Sequence, residues 1–181
     1  MISLERRIGS REVLSIEFSI EPQVDKPVNE WWGQIRFWAG GRCVGNPEEF
    51  EMVSIGLGTL DAVGQQTGSR ANALLTQLPP DAAIDRVMQA IYGEEEAQTE
   101  QVSFDDMTKL EVFPGASPFF DNWEAILLEE GDHEKFLYRH VRQPAQEMTW
   151  EIGTFRNIAS RANFELTLLQ GQSTFQLGIR Q

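Results

Sequence analysis

The stretch from Trp31 to Val44 limits the fold more than any other part of the chain. In the run Gly33 to Ala39, Ile35 and Phe37 fall on one side, and Arg36 and Trp38 on the other. That alternation is the signature of a half-buried strand. Gly40-Gly41 follows, a pair whose backbone accepts a tight turn, and Arg42-Cys43-Val44 returns as the partner strand. The same period recurs upstream in Val13 to Ile20, where Leu14, Ile16, Phe18 and Ile20 oppose Ser15, Glu17 and Ser19. Downstream, Trp123 to Leu128 and Lys135 to Val141 read as two strands. Glu129 to Glu134 lie between them as a solvated turn containing Gly131. Met148, Trp150 and Ile152 alternate as a third strand of that group. Strands that follow one another through tight turns pair antiparallel.

Helical spacing separates these groups. Asn46-Pro47 reads as an N-cap and first-turn proline, opening a helix over Pro47 to Val63 with Phe50, Val53, Leu57 and Leu60 on its apolar side. Glu48, Glu49 and Glu51 then sit at the positive end of the helix dipole. Pro79-Pro80-Asp81 starts a second helix, striped by Ile84, Val87, Met88 and Ile91 and ended by Gly93. Thr154 caps a third, with Phe155, Ile158, Ala159 and Ala162 on one face. Glu21 to Glu30 and Gln65 to Arg70 are loops. Glu94 to Asp106 is an exposed acidic loop, with a short helix after Ser103 as an option. Gly171 to Gln181 is either an edge strand or a loosely held end. The expected class is α+β. The expected architecture is a single domain over residues 1–181, mainly antiparallel sheet built from hairpins, with about three packed helices.

Charge narrows the function. Between Cys43 and Glu134 there are nineteen acids and three bases, a net charge of −16, whereas the flanks sum to +3 and the chain to −13. Such a surface is repelled by phosphate backbones and anionic lipid, so neither nucleic acid nor membrane is an expected partner. A basic protein is the complementary one. No apolar run approaches the roughly 18 residues that span a bilayer, and the N-terminus lacks the apolar stretch of a secretory signal. A single cysteine, Cys43, fits a reducing, cytoplasmic setting.

No reaction chemistry assembles from the residue pattern. The two histidines, His133 and His140, have no Cys or Asp at metal-ligand spacing. Cys43, beside Val44 on a strand, reads as a spectator thiol. Neither Gly40-Gly41 nor Gly56-Leu57-Gly58 leads into Gly-Lys-Ser/Thr, so no phosphate loop is present. Asp105-Asp106 and Glu94-Glu95-Glu96 are the paired carboxylates. Neighbouring side chains on a helix or strand diverge, which disfavours convergence on one ion. No catalytic, cofactor or metal site is expected. Of Trp31-Trp32, one packs into the core and the other is a candidate interface anchor.

The segment Trp31-Trp32-Gly33-Gln34-Ile35-Arg36-Phe37-Trp38-Ala39-Gly40-Gly41-Arg42-Cys43-Val44-Gly45-Asn46 resembles the opening of immunity protein family forty-two of bacterial polymorphic-toxin systems. In that family a Trp-Gly pair leads into a strand ending in Phe/Tyr-Trp. A glycine turn, a short strand closing on Gly-Asn/Asp and a helix follow. Thr67-Gly68-Ser69-Arg70-Ala71-Asn72 is similar to the family's Gly-x-Arg segment. Phe120 to Glu129, continuing to Phe136-Leu137-Tyr138-Arg139, is similar to its second hairpin. The resemblance spans about residues 12–165. It implies a cytoplasmic, non-enzymatic protein that binds a cognate toxin and blocks it, and it transfers no catalytic residue. Glu94 to Asp106 and the tail after Ala162 lie outside the pattern.

Three function classes are thereby weighed. The first is an immunity protein that neutralises a toxin stoichiometrically, a basic nuclease being the best charge match. The second is an acidic adaptor for another basic protein. The third, a carboxylate-based metal-dependent hydrolase, lacks a motif. For the first, the partner-binding candidates are Glu48, Glu49, Glu51, Glu94, Glu95, Glu96, Asp105 and Asp106, with Trp31 or Trp32 as the apolar anchor. The run from Glu94 to Asp106 has no local structural reason for its charge and is the leading candidate among the acids.

Overall fold

Alternation builds a five-stranded antiparallel sheet first. The structure, a computed structural model, describes residues 4–21, 31–93, 104–113 and 118–178, the last seven as backbone alone. Sheet A contains β1 (Leu4–Ser10), β2 (Leu14–Glu21), β3 (Trp32–Ala39), β4 (Arg42–Val44) and β5 (Glu51–Met52). The order is β1-β2-β3-β4, and β5 also pairs with β3. Three of these strands match the sequence reading. β1 was not expected, and it supplies Ile8 to the core and an outer row of charge. At the β3–β4 turn, Gly40 and Gly41 both take positive φ, 57° and 78°. A two-residue turn matched to strand twist needs this at both positions.

The helix expected from Pro47 does not begin there. Helix α1 runs Val53–Gly64, its N-cap is Met52, and its first turn holds no acid. A distant segment captures Asn46. Its side-chain amide donates to the carbonyl of Pro118 at 2.9 Å and its backbone N–H to that of Phe119 at 2.6 Å. Glu51 and Met52 are drawn into pairing with Gly33 and Trp32. Tertiary bonds thus override a local capping signal, and the dipole explanation of Glu48, Glu49 and Glu51 falls with it.

Sheet B consists of β6 (Trp123–Glu130), β7 (His133–His140) and β8 (Gln146–Glu151), paired in that order. It is buried on both faces. One face packs Ala125, Leu127, Phe136, Tyr138 and Trp150 against the apolar face of sheet A, α1 and the front of α5 (Thr154–Gly178). Phe37 is central to this core, with Phe113, Phe136 and Phe155 all within 6.2 Å of its ring centre. Each such buried ring contributes about 1.5–3 kcal/mol. The other face packs Ile126, Leu128 and Leu137 under α2 (Ala73–Thr76), α3 (Pro80–Tyr92) and α4 (Phe104–Thr108). The class is α+β. The tail read as a strand or loose end instead continues α5 as far as Gly178.

Asp61 ties α1 to α5 by accepting from Ser160 Oγ at 2.6 Å and Asn163 Nδ2 at 2.9 Å. Arg139 ties α3 to sheet B through Glu124, Asp81 and Asp85. Glycine is required at position 33 for packing rather than for φ. A Cβ there would lie 1.8 Å from the Ser19 carbonyl oxygen on β2. Gly33→Ala is therefore expected to pry β2 from β3, at about 1–3 kcal/mol for overpacking. Chemical denaturation measures this, and an unchanged midpoint would contradict it.

Candidate partner interface

Helices α1 and α5 lie on the apolar face of sheet A. Among the described residues, no helix packs on the opposite face. Register aligns that face in cross-strand rows. Glu21, Trp32 and Met52 form one, and Glu5, Ser19 and Gln34 the next. Arg7, Glu17 and Arg36 follow, then Ser15, Trp38 and Cys43.

The third row is an ionic lattice. Arg7 Nε donates to Glu17 Oε1 at 2.5 Å. Arg11, reaching in from the β1–β2 turn, donates to both Glu17 oxygens at 2.5 and 2.6 Å, and its guanidinium lies 4.1 Å from the Trp38 ring centre. Burial is the largest influence on Glu17 and opposes its ionisation. The bonds from Arg11 and Arg7 outweigh it and hold the carboxyl below the usual range. Beside this lattice is a cleft of about 310 Å³, lined in part by Arg6, Arg36 and Gln34. Burial pushes the Cys43 thiol up, which keeps it protonated and poorly nucleophilic.

At the β5 edge, Trp32 stacks on Phe50 with ring centres 6.4 Å apart and planes inclined by 27°. Phe50 is exposed and Trp32 half-buried. Trp31, by contrast, is 6% exposed and belongs to the core, so the tryptophan pair divides as expected, with Trp32 the accessible member. Glu48 is exposed, Glu49 and Glu51 are half-buried, and all three lie in the segment that carries Phe50 to the edge of sheet A. Asp105 and Asp106 are exposed on α4, over the second core, and Asp106 pairs with Lys109 at 3.0 Å. The structure thus joins Trp32 to the first acidic cluster and separates both from Asp105 and Asp106. Glu94, Glu95 and Glu96 lie outside the described residues. Helical spacing predicts Phe50 in a helix core, whereas it lies exposed at the edge of sheet A, and no local pattern joins Arg7, Arg11 and Glu17 into a unit. Arg36 and Trp38 were placed correctly on the polar side of their strand, which is the signal that leads to this face.

Among the described residues, no group of three or more His, Cys, Asp or Glu is arranged to hold a metal, and no helix is long and apolar enough to cross a membrane. No curated protein matches the chain. The fold is similar to that of a solved structure, CdiI from Burkholderia dolosa AUO158, with a TM-score of 0.66 and 15% identity over 88% of this chain and 99% of that one. At that identity the likeness is one of fold. A family model for immunity protein 42 matches residues 1–165, taking in β1 as well as the motifs from Trp31 onward, and the chain belongs to that family.

Proposed function

We propose that the chain binds a cognate toxin domain one-to-one and neutralises it, using the outer face of sheet A and its β5 edge. The observation that carries this reading is the Trp32–Phe50 stack at the rim of a sheet face on which no described helix packs, with Glu48, Glu49 and Glu51 alongside. Those acids have no helix to cap and Glu48 is exposed, so their charge is available to a partner. Aromatic anchors surrounded by polar groups are the usual energetic centre of an interface.

Net charge adds a kinetic argument. A chain at −13 attracts a basic partner from beyond contact distance. A nuclease must hold a polyanion and is therefore the toxin class whose surface fits best. Asp105, Asp106 and the sequence run Glu94-Glu95-Glu96 add to the steering field wherever contact occurs. The acidic-adaptor reading predicts no toxin gene beside this one.

Co-expression with the product of the adjoining upstream gene tests the proposal, with co-purification at 1:1 and rescue of growth as readouts. Neither complex nor rescue would sink it. Within the complex, Trp32→Ala is expected to weaken binding about 30-fold, the scale of an aromatic hot spot. Lysine at 48, 49 and 51 together is expected to slow association about tenfold at low salt, with the difference vanishing as screening shortens the field's reach. On-rates unchanged across a salt series would remove the steering role.

A further inference from the structure

We propose that the arginine lattice on the outer face of sheet A is a receptor for a carboxylate side chain presented by the bound toxin domain. The proposal rests on the toxin-binding reading and deepens it by naming a contact. The chemistry there is opposite in sign to the rest of the molecule. Four arginines, Arg6, Arg7, Arg11 and Arg36, and two glutamates, Glu5 and Glu17, line the cleft, but Arg6 shares the row of Phe18 and Ile35 on the helix side and pairs with Glu165 of α5 at 3.8 Å. The outer face itself then carries Arg7, Arg11 and Arg36 against Glu5 and Glu17, a local island at +1 in a chain of net charge −13.

Donor capacity points the same way. Glu17 engages Arg7 and Arg11 together, so that unit keeps one net positive charge. Arg36 lies next to Glu17 in register, yet among the described residues it has no carboxylate within ion-pair distance. Its bond is to the neutral Gln34 amide at 3.2 Å. A guanidinium carries five N–H groups in a planar fork, more than one amide oxygen uses. One row away, Ser15 Oγ and the Trp38 indole N–H are buried with no hydrogen-bond partner among the described residues. The face is thus rich in donors and short of acceptors.

The occupant is a single carboxylate rather than a phosphate chain. Glu17 and Glu5 line the same cleft and would repel a dianion, and the chain's overall charge repels a polyanion. One Asp or Glu side chain from a protein adds one negative charge and two acceptor oxygens, which suits a planar fork. Arg11, already stacked on Trp38 and bonded to Glu17, is held in place before binding, so less side-chain freedom is lost on contact. Arg36 and Trp32 are four residues apart on β3, roughly 13 Å along a strand. One partner surface of about 800 Å² covers both. The two charge signs then divide the work. The acidic bulk governs the rate of encounter, and the arginine island fixes the register of the docked pair.

The test uses the full chain and the toxin domain encoded by the adjoining upstream gene, with affinity and dissociation rate measured for wild type, Arg36→Ala and Arg36→Glu. Arg36 is chosen because it does not support the Glu17 network, and equal unfolding midpoints verify that the fold is retained. Arg36→Ala is expected to weaken binding about tenfold and Arg36→Glu at least 100-fold, mostly through faster dissociation. One Asp→Lys or Glu→Lys change in the toxin domain should restore binding to Arg36→Glu. If Arg36→Glu binds within twofold of wild type while Trp32→Ala fails, the carboxylate receptor is refuted and the toxin reading survives. If the wild-type chain forms no complex, both fail.

Discussion

Replacing Glu134 by alanine should cost the fold about 3–5 kcal/mol, as expected for breaking a buried charged cluster. Glu134 sits on β7 and is fully buried. Its Oε2 accepts from Trp150 Nε1 at 2.7 Å and from the Phe155 backbone N–H at 3.1 Å. Phe155 is the second residue of α5, so the carboxylate satisfies a helix N–H that has no partner within the helix and places negative charge at the dipole's positive end. One side chain thereby fastens β8 and the longest helix to β7. Alanine leaves two buried donors unmet, at about 1–3 kcal/mol each. Against a total stability of about 5–15 kcal/mol, that is a large fraction. In a chain of this length the melting midpoint should fall by roughly 10 °C. Both donors meet the same oxygen, so Glu134→Gln with its amide oxygen in that place still serves them and should lose less than the alanine variant, giving up chiefly the charge. Urea titration followed by far-ultraviolet circular dichroism decides it. A loss under 1 kcal/mol for the alanine variant would show that α5 does not depend on this carboxylate.

Glu129 and Glu134 are also where the sequence reading and the structure part most sharply. A glycine inside Glu129 to Glu134 marks a turn, and charged residues around it suggest solvent. Yet Glu129 pairs with Glu134, and Glu130 with His133, so the strands run two residues further on each side. Continuing the alternation Ala125, Leu127, Glu129 on one strand and Glu134, Phe136, Tyr138 on the other places both carboxylates on the core face. That signal was present. It loses to residue type, because a buried carboxylate is rare unless its bonds are supplied from elsewhere. Here they come from Gly68, Arg70, Trp150 and Phe155, none of which local pattern can reveal. The hairpins of β3–β4 and β6–β7, α3 and the start of α5 were legible because their glycine, proline and periodicity signals agree with where the chain packs, although Thr154 is the first helical residue of α5 rather than its cap.

The interface was half legible for the same reason. Trp32 and the alternation of Arg36 with Trp38 follow from local period, and the structure keeps both. Phe50 and Glu48 required knowing that Asn46 is bound by Pro118, seventy-two residues away. The Arg7–Glu17–Arg11 lattice required a first strand whose charged beginning, Glu5-Arg6-Arg7, disguises the inward Ile8. Charge composition pointed to a basic partner and missed the island of opposite sign, because a sum over a segment is blind to which residues share a sheet face.

Arg70→Met is expected to lose about 3–5 kcal/mol, and its coupling to Glu134 should be measurable. Arg70 is 1% exposed. Its Nε donates to the Lys109 carbonyl at 2.8 Å and its Nη2 to the carbonyl of Val63, in the last turn of α1, where a cation is favoured. Burial is the largest influence on the guanidinium and pushes its pKa down, while the fields of Glu129 and Glu134 oppose that. Neither carboxylate forms a close ion pair with the side chain. Glu129 instead accepts from the backbone N–H of Gly68 at 2.6 Å and of Arg70 at 3.1 Å. Methionine matches the stem but removes a donor from the carbonyls of Lys109 and Val63, of which Val63 keeps the Gln66 N–H, and leaves two buried carboxylates without their cation. If the attraction to Glu134 acts through space, Arg70→Met combined with Glu134→Gln should lose less than the sum of the singles by about 1–2 kcal/mol. Losses that add to within about 0.5 kcal/mol would mean that the two groups do not sense each other. Arg70 would then hold the fold only through its carbonyl bonds, and Arg70→Lys, which keeps the charge but lacks the fork, would be as damaging as methionine.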